Sequence, residues 1–525
     1  MRHYLFGVVL LVSACAAADP FSLSIVHTND IHAHILPFDK DGKECKSEDA
    51  HCSGGMAAIA GAISVQREKD PDTLVLDAGD RFTGTLFYTL HKGRDISMLM
   101  NEAGYSAMTL GNHDFDGGTE ELERFIRSSS APVVAANVSF PENPALQELV
   151  KPYVFLNVKG KKVAVIGLVT PDTAFMSAGA SQAVFLPVRE TLAARLKDVK
   201  DEGADVVILL SHLGLEEDRD VAATTDGIDI IAGGHSHSLL TNGDDENKSG
   251  GYPAVVKSPD GSDVLIVTAG EYGRHIGILT ASFDKDGRIV SYEGDAIRTD
   301  AAVPPDKDAL RLVQSYASEI ALTKDRLITV FQTPLLLGKD GMCMEECVAG
   351  EFTADTLLAA FPDACGAMLN GGALRRSVPA GKVTFGDLVG LFPFDSSVGT
   401  AVISGSEIRR MLEHGISRFA DAGDGGRAFL QTAGISYSFD PSAKPFRRVF
   451  EVKVKKNGEY VPIKDEKKYK IVMLDFIARG GDGFSPVRRF VPTDRKAADV
   501  LMEVWRKERS FSPRSEGRIL KRAAD

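Results

Sequence analysis

The strongest constraint on the fold is a recurrence in the first half of the chain. Short apolar runs fall at 23–27, 74–77, 107–110, 133–135, 163–168, 206–210 and 228–231. Each reads as a strand, and helical stretches such as 56–66 and 119–128 fill several of the gaps. Strands alternating with helices predict a layered α/β domain. Further strands are expected near 265–268 and 275–283, and the polar, Gly-containing stretch 242–251 reads as a surface loop. The segment 300–306, with Pro304 and Pro305, is a natural break. It leads into an amphipathic linker helix, 307–326, and a second α/β-like unit follows from 327 to 525.

The size agrees with this division. At about 150 residues per domain, 525 residues suggest about three domains or two large ones. Hydrophobic content of 44% and charged content of 25% allow a sizeable core and argue against disorder. The formal net charge of −13 argues against a nucleic-acid backbone as the main partner. It leaves small anionic ligands open, because bound cations supply local positive charge that this count omits.

The start of the chain reads as a secretory leader. Arg2 and His3 precede an apolar run, and Ala16, Ala17 and Ala18 provide small residues for cleavage near Ala18, giving a leader over 1–18. A membrane anchor, for which the run falls short, and lipidation at Cys15 are the alternatives. Two sequons, Asn137-Val138-Ser139 and Asn247-Lys248-Ser249, fit a glycoprotein on a eukaryotic secretory route. The charged C-terminal segment offers no hydrophobic tail for a glycolipid anchor, so the expectation is a free, secreted, extracellular protein. In that compartment Cys45 with Cys52, and Cys343 with Cys347, are close enough in sequence to close small disulfide loops. Cys365 is left over and reads as a buried free thiol.

Polar clusters follow directly on the apolar runs. Asp30 and His32 follow the first and Asp80 the second; Asn112, His113, Asp114 and Asp116 follow the third. His212 follows the run at 206–210, and His235 and His237 follow that at 228–231. Ligands of α/β sheets bind beyond the carboxyl ends of strands, where such loops converge. Imidazole nitrogens with carboxylate oxygens suit borderline divalent ions. The donors are too many for one four-coordinate ion, so two ions roughly 3.5–4 Å apart are expected, with Asp80 as the bridging carboxylate. Zinc leads, with manganese, calcium, magnesium and cobalt as alternatives. Neighbouring Gly79, Gly111, Gly233 and Gly234 let the backbone turn sharply and approach a ligand.

The ordered set resembles the calcineurin-like metallophosphoesterases and, within them, the 5'-nucleotidase family, which includes secreted apyrases. The resemblance rests on His27-Thr28-Asn29-Asp30-Ile31-His32-Ala33-His34, Asp77-Ala78-Gly79-Asp80, Leu110-Gly111-Asn112-His113-Asp114-Phe115-Asp116, Ser211-His212-Leu213-Gly214 and Gly233-Gly234-His235-Ser236-His237. It implies a four-layer α/β/β/α metallophosphoesterase domain over 19–306, the linker helix, and a C-terminal α/β nucleotide-binding domain. It implies one ion on Asp30, His32, Asp80 and His237, the other on Asp80, Asn112, His212 and His235, and a catalytic pair of His113 and Asp116. His113 adjoins Asn112, so it can reach a transferred phosphoryl group without ligating, and Asp116 can hold its proton. No Gly-x-x-x-x-Gly-Lys-Ser/Thr segment occurs, so a P-loop nucleoside triphosphatase is not supported.

In the second unit the resemblance turns three features into a nucleoside pocket. A purine would stack between Phe394 and Phe476, Asp482 would bind the ribose hydroxyls, and Asn370 and Arg375 would hold base and phosphate. The linker helix would be the hinge of a swinging second domain. One departure stands out: the family often has an arginine between the cysteines matching Cys343 and Cys347, where this chain has Met344, Glu345 and Glu346. One positive contact is missing there, which bears on the choice among ATP, ADP and AMP. The leading reading is a metal-dependent hydrolase of extracellular nucleotides, apyrase or 5'-nucleotidase. Two alternatives are a two-metal hydrolase of cyclic nucleotides or nucleotide sugars, and a nucleotide-scavenging protein without turnover.

Overall fold

The computed structural model describes residues 21–522 apart from 41, 46–48, 50, 339–344, 395 and 418–426. The expected leader with Cys15, and Cys343, lie outside the described residues. In chain order the main strands of the N-terminal half are β1 (Phe21–Thr28), β2 (Leu74–Asp77), β3 (Ala107–Thr109), β4 (Val133–Val134), β5 (Tyr153–Val158), β6 (Lys161–Val169), β7 (Val206–His212), β8 (Ile230–Gly233), β9 (Ala254–Lys257), β10 (Asp263–Val267), β11 (His275–Phe283) and β12 (Ile289–Arg298).

They form two six-stranded sheets. The first has the order β12-β11-β1-β2-β3-β4 and the second β9-β10-β8-β7-β6-β5. Strands β1 to β4 run parallel, as do β6, β7, β8 and β10; antiparallel strands close the remaining edges. Alternation along β1 explains the layering. Leu23 and Ile25 share a core with Val165 and Ile208 of the second sheet, while Val26 faces the helices, among them α1 (Met56–Lys69). Helices Val188–Asp201 and Leu215–Thr224 cover the outer face of the second sheet through Leu192, Val199 and Val221. Helices, sheet, sheet and helices make the four expected layers.

Register sets the site. Thr28 pairs with Asp77, Asp77 with Met108, and Ser211 with Gly233. The carboxyl ends of the parallel strands are therefore level within each sheet, and their loops open at one edge.

Several elements differ from the sequence reading. The run at 228–231 becomes β8, starting two residues later, because the Asp229 carboxylate accepts from Val207 N and makes the entry a turn. β5, β9 and β12 carry weaker apolar signals and were not expected. β12 is mostly exposed, and β5 is held as a hairpin partner of β6 across Lys159-Gly160.

The linker becomes a helix of nearly the expected length. α2 (Leu86–His91) packs against α3 (Lys307–Lys324), whose N-cap Asp306 accepts from Asp308 N and Ala309 N. Ala309, Val313 and Ile320 of α3 are buried in the N-terminal core, as is Val389 from the second unit. That unit has a five-stranded sheet of β13 (Gly366–Asn370), β14 (Ser397–Ser404), β15 (Leu430–Ala433), β16 (Lys468–Leu474) and β17 (Phe490–Lys496), in the order β15-β13-β16-β14-β17. A smaller four-stranded sheet packs into the same core.

Cys45 and Cys52 form the expected disulfide, and Cys347 is disulfide-bonded. Cys365 is free but only half-buried, its thiol 3.4 Å from Lys470 O. Asn137 does not suit a glycan: it is fully buried, and its amide bonds both the N–H and the C=O of Val169. Asn247 is exposed. Among the described residues, no helix is long and apolar enough to cross a membrane.

Candidate functional site

The loops that leave β1 and β2 are zipped together by main-chain bonds. Asp30 N donates to Gly79 O, His32 N to Asp80 O, and Ala33 N to Arg81 O, all at 2.9–3.0 Å. This pairing forces Asp30, His32 and Asp80 into the left-handed region, at φ of 51°, 46° and 58°, and His235 and His237 adopt it too, at 77° and 55°. Each such L-residue costs about 1–3 kcal/mol, and strain of this kind concentrates where side chains must be aimed. Gly79 permits the approach of the loops: a Cβ there would stand 2.6 Å from Gly111 N and 2.9 Å from His212 Nδ1.

All seven residues expected to hold metal meet in space. Asp80 Oδ2 lies 3.3 Å from His212 Nε2 and 3.7 Å from His32 Nε2. Asp30 Oδ1 lies 3.5 Å from His237 Nε2, which is 3.3 Å from His32 Nε2. Asn112 Oδ1 lies 2.9 Å from His235 Nδ1 and 3.3 Å from His212 Nε2. Asp30 with His32 and His237, and Asp30 with Asp80 and His212, each present donor atoms within 4.8 Å of one another.

Their electrostatics fit divalent cations. Burial holds His32 and His235 down at about 3, so both imidazoles are neutral with a free lone pair, the form that ligates. His212 is also buried, yet the Asp80 and Asp30 carboxylates overcome that and raise it to about 10. That pull reports the excess negative charge of Asp80 and Asp30, which a bound cation would neutralise while His212 ligates as the neutral ring. Beyond the donors, Ala78 O lies 2.7 Å from His212 Nδ1, and Glu271 bonds His237 Nδ1. Carbonyl and carboxylate partners of this kind fix the orientation of ligating imidazoles.

His113 sits beside the cluster, its ring 5.3 Å from that of His32. Its backbone N–H donates to Asp80 Oδ1 at 2.8 Å, and its Nδ1 lies 2.8 Å from Asp116 Oδ2. Thr83 Oγ1 donates to the same Asp116 oxygen at 2.7 Å and Ser177 Oγ to the other at 2.9 Å. Burial works to lower His113, but Asp116 and Asp80 outweigh it and raise it to about 9. The Asp116 and Asp80 carboxylates thus favour the protonated ring.

The expected nucleoside residues also converge. Asn370, Arg375, Phe394, Phe476 and Asp482 line one pocket, and His113 and Asp116 form its far wall. The Phe394 ring lies 6.1 Å from that of His113, and the Arg375 guanidinium lies 5.0 Å from the Phe394 centroid. Asn370 Nδ2 donates to Asp482 Oδ2 at 2.8 Å, while its buried Oδ1 has no hydrogen-bond partner among the described residues. That oxygen is an acceptor held ready for a ligand. A wider cleft of about 470 Å³ continues from this pocket to His32, Asp80, His235 and His237.

Sequence reasoning missed what supports these groups. Thr83, Ser177 and Glu271 give no local signal, because their partners lie far along the chain. Arg81 did give one: an arginine directly after Gly79-Asp80 is fully buried between Asp77 and Asp114.

Comparison with known proteins agrees with this geometry. Residues 23–239 match the family model for calcineurin-like phosphoesterase, and residues 329–489 that for the 5'-nucleotidase C-terminal domain. The 5'-nucleotidase of Bos taurus is 30% identical over 90% of this chain and 85% of its own length. The apyrase of Tabanus yao is 30% identical over 95% of this chain and 93% of its own. The crystal structure of a 5'-nucleotidase precursor from Thermus thermophilus superposes with a TM-score of 0.81 at 33% identity, covering 95% of this chain and 99% of that one.

Proposed function

Because this chain belongs to the 5'-nucleotidase family of calcineurin-like phosphoesterases, we propose that it is a secreted enzyme removing phosphate from extracellular nucleotides. In that role it acts as an apyrase on ATP and ADP, as a 5'-nucleotidase on AMP, or as both. At the coarser level the chain is a nucleotide hydrolase of the metallophosphoesterase fold. The leader-like 1–18 and the exposed Asn247 sequon support the secreted placement. One observation carries the reading: the nucleoside pocket and the cation cluster share His113 as a common wall.

Asp30, His32, Asp80 and His237 would hold one divalent cation, and Asp80, Asn112, His212 and His235 the other; zinc suits this donor set best. When bound, the two cations supply Lewis acidity and a water of lowered pKa. The chain's own residues do the rest. Phe394 and Phe476 take the base between their rings, with stacking worth about 1–3 kcal/mol and tolerant of base identity. Asp482 accepts from the ribose hydroxyls, Asn370 Oδ1 from the base, and Arg375 donates to phosphate oxygen. The His113 imidazolium, its Nδ1 proton held by Asp116, donates from Nε2 to the phosphoryl oxygen on which charge builds. Phe394, Phe476 and Met176 supply the apolar part of the pocket around it.

The test is phosphate release from ATP, ADP and AMP, with and without chelator, beside elemental analysis. Release from at least one nucleotide, abolished by chelator and restored by a divalent cation, is expected. A metal-loaded protein inert to all three ends the reading.

A further inference from the structure

A second guanidinium, absent from the sequence reading, faces the same cleft. Arg427 lines both the nucleoside pocket and the wider cleft to the cation cluster, as do Arg375, Phe394 and His113. Its main chain is tied to the loop that carries Asn370 and Arg375. Gly372 N donates to Arg427 O at 3.0 Å, and Gly371 N donates to Phe429 O at 2.7 Å. A Cβ at Gly372 would stand 3.0 Å from Arg427 Cβ, so the bare glycine is what lets the Arg427 stem lie against this loop.

The side chain lies where the pocket of Asn370 and Asp482 meets the cleft that runs to the cation cluster. Arg375 is accessible to solvent in the cleft yet has protein on most sides; desolvation first, and the charge of Arg427 second, pull it below its ordinary value. Arg427 also acts on the phenol of Tyr272, whose ring lies 5.8 Å from that of His32 on the cation side. Asp482 and Glu271 act on Arg375 in the opposite sense, and an anion reaching both guanidiniums would accept forked hydrogen bonds from each.

We propose that Arg427 and Arg375 together seat the phosphate that lies between the nucleoside and the phosphoryl group being transferred, so that Arg427 sets the preference for nucleoside di- and triphosphates over monophosphates. The proposal rests on the nucleotide-hydrolase reading above. A monophosphate has no such intermediate phosphate, because its only phosphate is the one at the cations.

The experiment compares Arg427→Ala, Arg427→Lys and Gly372→Ala with the wild-type enzyme on ADP and AMP, with metal content measured in each. In Arg427→Ala, the ratio of kcat/KM for ADP to that for AMP falls about 10- to 100-fold, the loss expected for a charge-assisted contact. Arg427→Lys falls between, because an ammonium keeps the charge and loses the fork. Gly372→Ala, by displacing the stem, moves the ratio the same way by less. Equal losses on ADP and AMP, or an unchanged ratio, overturn the proposal. Binding of a non-hydrolysable methylene analogue of ADP, measured against adenosine by calorimetry, separates the two readings. A wild-type protein inert to all nucleotides refutes the function. Arg427 is then still decided by whether its alanine variant weakens the analogue at least about tenfold more than adenosine.

Discussion

Replacing Arg81 with methionine tests how the cation loops are held. Arg81 is fully buried; Nη1 lies 2.6 Å from Asp77 Oδ1, and Nη2 lies 2.7 Å from both Asp114 Oδ2 and Thr109 O. Asp77 and Asp114 are themselves no more than 1% exposed. Asp114 is the keystone of the site loops, since it accepts from the main-chain N–H groups of Asp80, Arg81 and Gly111. Methionine fills most of the volume and leaves two carboxylates buried without their cation. Removing one partner of a buried pair costs about 3–5 kcal/mol. With two carboxylates stranded and some relief from protonation, we expect about 4 kcal/mol. At about 2–4 °C per kcal/mol for a domain of this order of size, the N-terminal melting transition should fall by about 8–16 °C in scanning calorimetry with chelator present.

The pH dependence follows from the sign of the Asp77 shift. Burial already raises its pKa against the opposing pull of Arg81. Without Arg81 it rises further. A carboxyl whose folded pKa exceeds its unfolded value destabilises the fold progressively above that unfolded value, about 3.9. The deficit of Arg81→Met therefore widens from acid to neutral pH. Adding Asp77→Asn removes one stranded charge and should recover about 1–2 kcal/mol, because the amide oxygen can still accept from Thr28 Oγ1 or Gly79 N. A melting temperature within about 2 °C of wild type at neutral pH refutes the reasoning.

Three further outcomes are expected. His113→Ala should lower turnover by about 10²–10³, as for loss of one preorganised donor, while metal content stays the same; full-rate hydrolysis would remove His113 from the mechanism. The His91 imidazole bridges Asp95 on the N-terminal body, 3.0 Å away, and Glu319 on the linker helix, 3.5 Å away, and its pKa is raised chiefly by the Asp95 hydrogen bond. Its contribution is complete below about 6.5 and is lost as pH rises through the higher folded value, so His91→Gln should flatten the melting temperature against pH in that window; an unchanged profile contradicts the assignment. Finally, peptide mapping of protein from a eukaryotic secretory host should place any N-glycan on Asn247 and none on Asn137; a glycan on Asn137 would contradict its burial.

The chain by itself determined which elements exist and where the chemistry is attached to them. Apolar runs long enough only for strands fix the sheet class, and five of the seven are closely followed by Asp, His or Asn, which puts every donor beyond the end of a strand, because side-chain period and turn chemistry are local. Asp30, His32, Asp80, Asn112, His212, His235 and His237 were legible for that reason, and so was the linker helix that begins after the Asp306 cap. Only the tertiary structure decided what supports them. The left-handed backbone at Asp30, His32 and Asp80 arises from two loops zipped together across about fifty residues of chain. The Asp116 carboxylate gains Ser177 from 61 residues away, and Arg427 reaches the Arg375 loop through a glycine on another strand's exit. Burial of Asn137, which cancels a sequon, depends on Val169 of a neighbouring strand. Such contacts leave no local pattern. Desolvating such groups costs free energy that only the bond to the right partner offsets, and sequence spacing does not record which groups are partnered.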